Sequence, residues 1–185
     1  MKKTTFSLGL ATMLFVPSLF AHNIQLNMHL PVVNVATDGE LMLQGEQVNY
    51  QAWNSANLAG KVRIVHHFAG RSSVKEKNEP LMAAIKAAQL SAEKYQTTTI
   101  INADDTVFGT GGFVKSSAEK GKKSNARSQV VLDQQSAVKN AWNLKEKESL
   151  IVVLDKNGKV KFVNEGALSA QQVQDVISLV TELTK

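Results

Sequence analysis

From residue 61 onward, the chain alternates short β-branched runs with stretches of helical period. KVRIVHHF, residues 61–68, is a compact apolar run that predicts a buried strand. Leu81, Met82, Ile85 and Ala88 then recur at three- and four-residue intervals and predict an amphipathic helix. Ser73 and Glu76 have the S-x-x-E spacing of a capping box, which places the start of that helix at Ser73. Pro80 falls inside it and predicts a kink, because proline lacks an amide and crowds the preceding turn. YQTTTIINADD, residues 95–105, predicts a second strand, and GTGGFVKSSAEKGKK, residues 109–123, a glycine-rich opening into a short basic helix or loop. SQVVLD, residues 128–133, predicts a third strand, and SAVKNAWNL, residues 136–144, a short helix.

The two ends of this pattern are hairpins. In PVVNVATDGELMLQGE, residues 31–46, Asp38-Gly39 is a turn signal between two strands. YQAWNSANLAGK, residues 50–61, follows as a helical or looping segment that leads into the strand at 61. In SLIVVLDKNGKVKFVNEG, residues 149–166, Asn157-Gly158 predicts a tight turn built on positive φ angles. The last helix starts at a second capping box, Ser169 with Gln172, and carries Val173, Val176, Ile177, Val180 and Leu183 on one stripe. Strands alternating with helices require parallel pairing through crossovers, and a closing hairpin adds antiparallel strands. The prediction is α/β: a mixed central sheet with helices on both faces and an N-terminal β-hairpin extension.

Composition adds three constraints. Lys2 and Lys3 precede a nearly continuous apolar run from Phe6 to Phe20, with Pro17 near its end and Ala21 before His22. This is the plan of a secretory signal, with cleavage expected after Ala21. The run is too short for the roughly 20 residues of a membrane span. The expected organisation is a leader, residues 1–21, and one domain, residues 22–185, in a bacterial periplasm without stable membrane insertion. Loss of the two leader lysines lowers a net charge of only +5, which argues against a nucleic-acid partner. The chain has no cysteine, so in an oxidising compartment it has neither disulfides nor thiol chemistry.

These segments resemble a thioredoxin-like fold of the peroxiredoxin and thiol-disulfide carrier branch, through LAGKVRIVHHFAG, VVLD with AVKNAW, LIVVLDKNGKV and EGALSAQQV. YQAWNSANLAGKVR, AGRSSVKEKN and YQTTTIINADD narrow the resemblance to the YtfJ family of bacterial periplasmic proteins. The resemblance implies a periplasmic thioredoxin-like protein and brings no established activity with it. It also implies a register: Arg71 stands at the tryptophan before the C-x-x-C motif, Ser72 at the attacking cysteine and Lys75 at the resolving one. Pro80 stands at the helix proline, and Ser149 where such enzymes carry a cis-proline. Both halves of the redox site are therefore replaced.

The chemistry left to this turn is limited. The Ser72 hydroxyl cannot stand in for a thiolate without a neighbouring base. Arg71 and Lys75 beside a helix start have the composition of an anion site, and the plainer alternative is two capping serines between solvated cations. Asp104 and Asp105 end the second strand at the edge where open α/β sheets bind ligands, although strand-end aspartates commonly cap a turn. The candidate binding face is His67, Gly70, Arg71, Ser72, Ser73, Lys75, Asp104 and Asp105, together with Ser149. The expected occupant is a small anion or a peptide, held by a non-catalytic accessory protein. The alternative is a hydrolase-like enzyme using Ser72 or Ser73, with His67 as base and Asp104 as orienter. His66 is expected in the core. No cofactor is called for and no metal, since the strongest metal set, His22 with its amine and His29, has nothing to fix it near His67. Lys115, Lys120, Lys122, Lys123 and Arg127 predict a solvated basic segment able to dock an acidic protein or anionic lipid.

Overall fold

The computed structural model describes residues 22–185; the expected leader lies outside them. Strands β1 (Asn34–Gln44), β2 (Gln47–Asn54), β3 (Val62–Ala69), β4 (Tyr95–Asn102), β5 (Gln129–Asp133), β6 (Ser149–Leu154) and β7 (Val160–Glu165) form one sheet in the order β2-β1-β5-β4-β3-β6-β7. β3, β4 and β5 pair in parallel and the other neighbours are antiparallel. This is the mixed sheet expected, with the N-terminal hairpin joined to it through β1 and β5.

Helices α1 (Ser72–Glu76), α2 (Glu79–Ala88), α3 (Gly111–Ser124) and α5 (Ala170–Leu183) cover one face of the sheet, and α4 (Ala137–Trp142) covers the other. Alternation along β3 divides its side chains between two cores. Ile64 and Phe68 join the α1, α2, α3 and α5 side, while Val65 joins Ile100, Val131, Val138 and Trp142 on the α4 side. The α5 stripe packs as predicted, and both halves of its capping box form, Ser169 Oγ accepting from Gln172 N at 3.2 Å and Gln172 Oε1 from Ser169 N at 2.9 Å.

Four local expectations are corrected. Asp38-Gly39 is not the hairpin turn. It is a bulge inside β1, both residues having positive φ, and the turn lies at Gly45-Glu46. A Cβ at Gly39 would collide with the carbonyl of Gln51, which explains a glycine there. The segment after it is helical or looping only in its second part: residues 50–54 belong to β2, and Ser55–Leu58 forms a 3-10 helix. The capping box at Ser73 does not form, because α1 already begins at Ser72 with Arg71 as its uncapped N-cap. Pro80 kinks nothing: α1 and α2 are separate helices, and Pro80 sits in the first turn of α2, where a missing amide costs no intrahelical bond.

Two smaller differences follow from the same local physics. At the β6-β7 turn only Gly158 has positive φ, at 78°. Gly158 N donates to Asp155 O at 2.9 Å and the Asp155 carboxylate accepts from Asn157 N and Lys159 N, so the turn is a type I turn closed by a glycine bulge. The basic segment takes the helical one of its two expected forms, at fourteen residues longer than a short helix, as α3, with Arg127 beyond its end. Lys115 in it pairs with Asp38 at 3.1 Å, and buried Lys122 donates to the carbonyls of Ala126 and Ser128.

Candidate functional site

The parallel strands β3, β4 and β5 end on one edge of the sheet, which we term the upper edge. β3 passes there into Gly70 and Arg71. Gly70 N donates to Asn102 O at 2.8 Å, and a Cβ on Gly70 would stand 2.7 Å from Thr106 Cγ2 and 3.0 Å from Asn102 O. Only a residue without a side chain lets the turn lie this close to the end of β4. The Asn102 side chain organises that end, its Oδ1 accepting from Asp104 N and Asp105 N. The turn is therefore capped by Asn102 and not by the aspartates.

The two aspartates diverge. Asp105 accepts from Arg71 Nε at 3.2 Å and from Lys147 N at 2.6 Å, and its carboxylate lies 3.1 Å from Arg71 Nη2. Arg71 Nη2 also donates to Thr106 O at 3.0 Å, which leaves Nη1 without a protein acceptor among the described residues. Asp104 turns to the α4 side and accepts from Ser136 Oγ at 2.8 Å. Ser72, Ser73 and Lys75 are exposed on α1, and Lys75 makes no ion pair among the described residues.

Adjacent histidines on β3 go to opposite faces. His66 is buried on the α2 side, where its Nε2 lies 3.1 Å from Ser149 Oγ. Ser149 Oγ also accepts from Asn78 Nδ2 at 2.9 Å. Burial, followed by the charges of His67 and Lys75, pushes His66 down to about 3. His67 is buried on the α4 side, opposite Leu150 of β6 and Ile100 of β4, and its Nε2 has no hydrogen-bond partner. Burial pushes it down to about 4 despite the opposing influence of Asp105.

This placement separates the members of the hydrolase-like alternative. His67 is enclosed on the face opposite α1, no bond joins it to Ser72 or Ser73, and Asp104 is taken by Ser136. The histidine–serine pair that does form, His66 with Ser149, is buried at both residues. It lacks the exposed nucleophile that acyl transfer requires. Of the nine candidate residues, Gly70, Arg71, Ser72, Ser73, Lys75 and Asp105 cluster at the turn. Asp104 and His67 lie on the α4 side, and Ser149 lies beneath the turn in a closed hydrogen-bond group.

Sequence reasoning missed Asn78. Its buried side chain bonds Ser149 Oγ, Gly166 O and Leu168 N, tying the α1-α2 break to β6 and to the loop before α5. The signal was the Asn-Glu-Pro run at 78–80, a helix start in the middle of a presumed helix. A groove of about 990 Å³ opens at the turn, where Gly70, Arg71, Ser72 and Lys75 line its mouth, and runs between α2 and α3 over the sheet. Among the described residues no cluster of three histidine or acidic side chains forms a metal site, and no helix is long and apolar enough to cross a membrane.

This arrangement is a thioredoxin-like fold in a chain that has no cysteine. The fold recurs in the thioredoxin domain of a thiol-disulfide oxidoreductase from Bacteroides vulgatus, at a TM-score of 0.56 and 15% identity over 88% of this chain and 100% of that one. It recurs in a thiol-disulfide isomerase from Corynebacterium glutamicum, at 0.52 and 15% identity over 76% and 92%. The chain belongs to the family of bacterial proteins of unknown function described as YtfJ_HI0045, which matches residues 24–183. An uncharacterised protein of Haemophilus influenzae is 56% identical over the whole of both chains. The uncharacterised protein YtfJ of Escherichia coli K12 is 44% identical over 96% of this chain and 97% of its own.

Proposed function

We propose that this protein is an exported, periplasmic accessory protein that binds a small anion at the turn where thioredoxin-like enzymes hold their redox pair. One observation carries the reading: a groove opens at that turn beside a free Lys75 ammonium and an Arg71 guanidinium with Nη1 unspent. Asp105 orients Arg71 from behind, so the guanidinium meets a ligand with its geometry already set. Thiol-disulfide exchange has no reactant in a chain without cysteine. A peptide is the weaker occupant, because Ser149, at the position where a cis-proline would pair with a peptide backbone, is buried and bonded to His66 and Asn78.

The test is a thermal-shift screen of the purified protein against phosphate, sulfate, small carboxylates and short peptides. At a hundredfold excess over Kd, a ligand specific to the native state should raise Tm by about 5 °C or more. The rise should vanish in an Arg71→Ala/Lys75→Ala double variant. Equal melting temperatures for both proteins with every ligand would sink the anion reading. Export is tested separately by cell fractionation and N-terminal sequencing, with His22 expected as the first residue of an osmotic-shock product.

A further inference from the structure

The groove continues well beyond the turn, and its character changes along its length. Met82, Ile85 and Leu90 line it from the α2 side, and Phe113, Val114 and Ala118 from α3. Its floor follows β4 from Gln96 to Ile101, roughly 17 Å at about 3.3 Å per residue. The volume of about 990 Å³ stands near the top of the range for small-molecule clefts, about 300–1,000 Å³.

Charge is distributed unevenly around it. At the upper end Arg71 is paired with Asp105, Lys75 makes no ion pair among the described residues, and the one lining carboxylate, Glu79, lies in the first turn of α2. At the lower end stand Lys86, in the last turn of α2, and Arg127, whose backbone carbonyl accepts from Gln96 at the start of the floor. Neither makes an ion pair among the described residues. Apolar exposure runs the other way. Val107 and Phe113 line the upper end while exposed to solvent, and Phe108 beside them is fully exposed. The floor between the two ends offers the hydroxyls of Thr97 and Thr99 and a neutral His66, and no charge.

We propose that this groove binds a single-chain amphipathic anion, an aliphatic or aryl carboxylate, with its apolar body between Met82, Ile85 and Phe113 and its head at Lys86 and Arg127. The apolar walls hold the body by burial, and the two cations left without partners at the lower mouth select a negatively charged head over a neutral one. This site goes beyond the anion reading at Arg71 and Lys75, and its charged determinants lie at the opposite end of the groove.

The test uses dodecanoate below its micellar concentration, with dodecanol as the neutral analogue and 1-anilinonaphthalene-8-sulfonate as a fluorescent reporter. Calorimetric titration should give saturable one-to-one binding of dodecanoate that displaces the reporter, with dodecanol about tenfold weaker, as one ion pair of about 1.4 kcal/mol dictates. A Lys86→Gln/Arg127→Gln variant should lose that preference and bind both equally. Gly121→Trp should abolish binding of both: Gly121 lines the groove on α3, and a Cβ there meets nothing within 4 Å, so the ring enters the groove without straining the helix. Native near-ultraviolet dichroism checks that this variant is folded, and the Lys86/Arg127 surface variant tests the proposal independently of it. Arg71→Ala/Lys75→Ala should leave dodecanoate affinity unchanged, which separates this site from the one at the turn. The proposal is overturned if dodecanoate does not bind saturably, if Gly121→Trp leaves its affinity intact, or if dodecanol binds as well as dodecanoate to the unaltered protein. It is equally overturned if an apolar peptide saturates the groove and dodecanoate does not displace it.

Discussion

His66 and His67 are neighbours in the chain and occupy two different environments. On the α2 side, His66 belongs to a closed polar group with Ser149 and Asn78, and that group ties together β3, β6 and the α1-α2 break. On the α4 side, His67 is equally buried with Nε2 left alone. The pair teaches that burial and integration are separate properties. Both rings are held neutral by the same desolvation, and only one contributes to the architecture beneath the candidate site.

The largest expected effect is on acid stability, and it tests what the two rings share. Their folded values of about 3 and about 4 lie below the ordinary 6.5. Between these limits the unfolded chain binds more protons than the folded one, so stability is complete above pH 6.5 and falls as pH drops. At about 1.4 kcal/mol per unit, His67 should cost about 3 kcal/mol by pH 4 and His66 about 4 to 5 kcal/mol by pH 3. Urea unfolding across pH 7 to 3 should show a shallower loss in each single His→Leu variant than in the unaltered protein. Identical slopes in all three proteins would remove both rings from the account.

The next effect separates the two faces. Asn78→Ala removes three hydrogen bonds of a buried side chain on the His66 side, one buried and two part-buried, and should cost about 2–4 kcal/mol, read as a shift in denaturant midpoint at pH 7. A loss below half a kcal/mol would mean that the α1-α2 break is not held by this side chain. At the same pH, His66→Leu should cost about 1–2 kcal/mol by stripping a bond from Ser149, whereas His67→Leu should be neutral or stabilising within about 1 kcal/mol, because it deletes an unpaired polar atom. Equal penalties for the two leucine variants would erase the contrast. The smallest effect belongs to the partly buried Arg71–Asp105 pair: Arg71→Ala should change stability by about 1 kcal/mol, and less in high salt.

Much of the fold was legible because it rests on period. The α5 stripe and its Ser169–Gln172 box depend on residues within one or two turns of each other, and both formed as read. The β3, β4 and β5 runs were legible for the same reason. Errors arose where one local signal suits two structures. Asp-Gly serves a hairpin turn and a β-bulge alike, and the choice at Asp38-Gly39 fell to the pairing of β1 with β5 as well as β2. Proline suits a kinked helix or the first turn of a new one, and at Pro80 the outcome was decided by Asn78, whose partners lie at Ser149, Gly166 and Leu168. The site was legible only at the turn. Gly70 to Lys75 are contiguous, so their clustering follows from chain connectivity, whereas the α2-α3 groove joins walls that no local pattern relates.

By itself, then, the sequence determined the element order, the absence of cysteine and the position of the turn after β3, because these depend on residue identity and short-range period. Tertiary structure alone decided which histidine faces the groove and which faces α4. It paired Arg71 with Asp105, and it left Lys86 and Arg127 unpaired across a cleft forty-odd residues wide in sequence. Those outcomes depend on strand register and on how two helices span a sheet, and a one-residue slip of β3 would have reversed the histidines while leaving every local propensity intact.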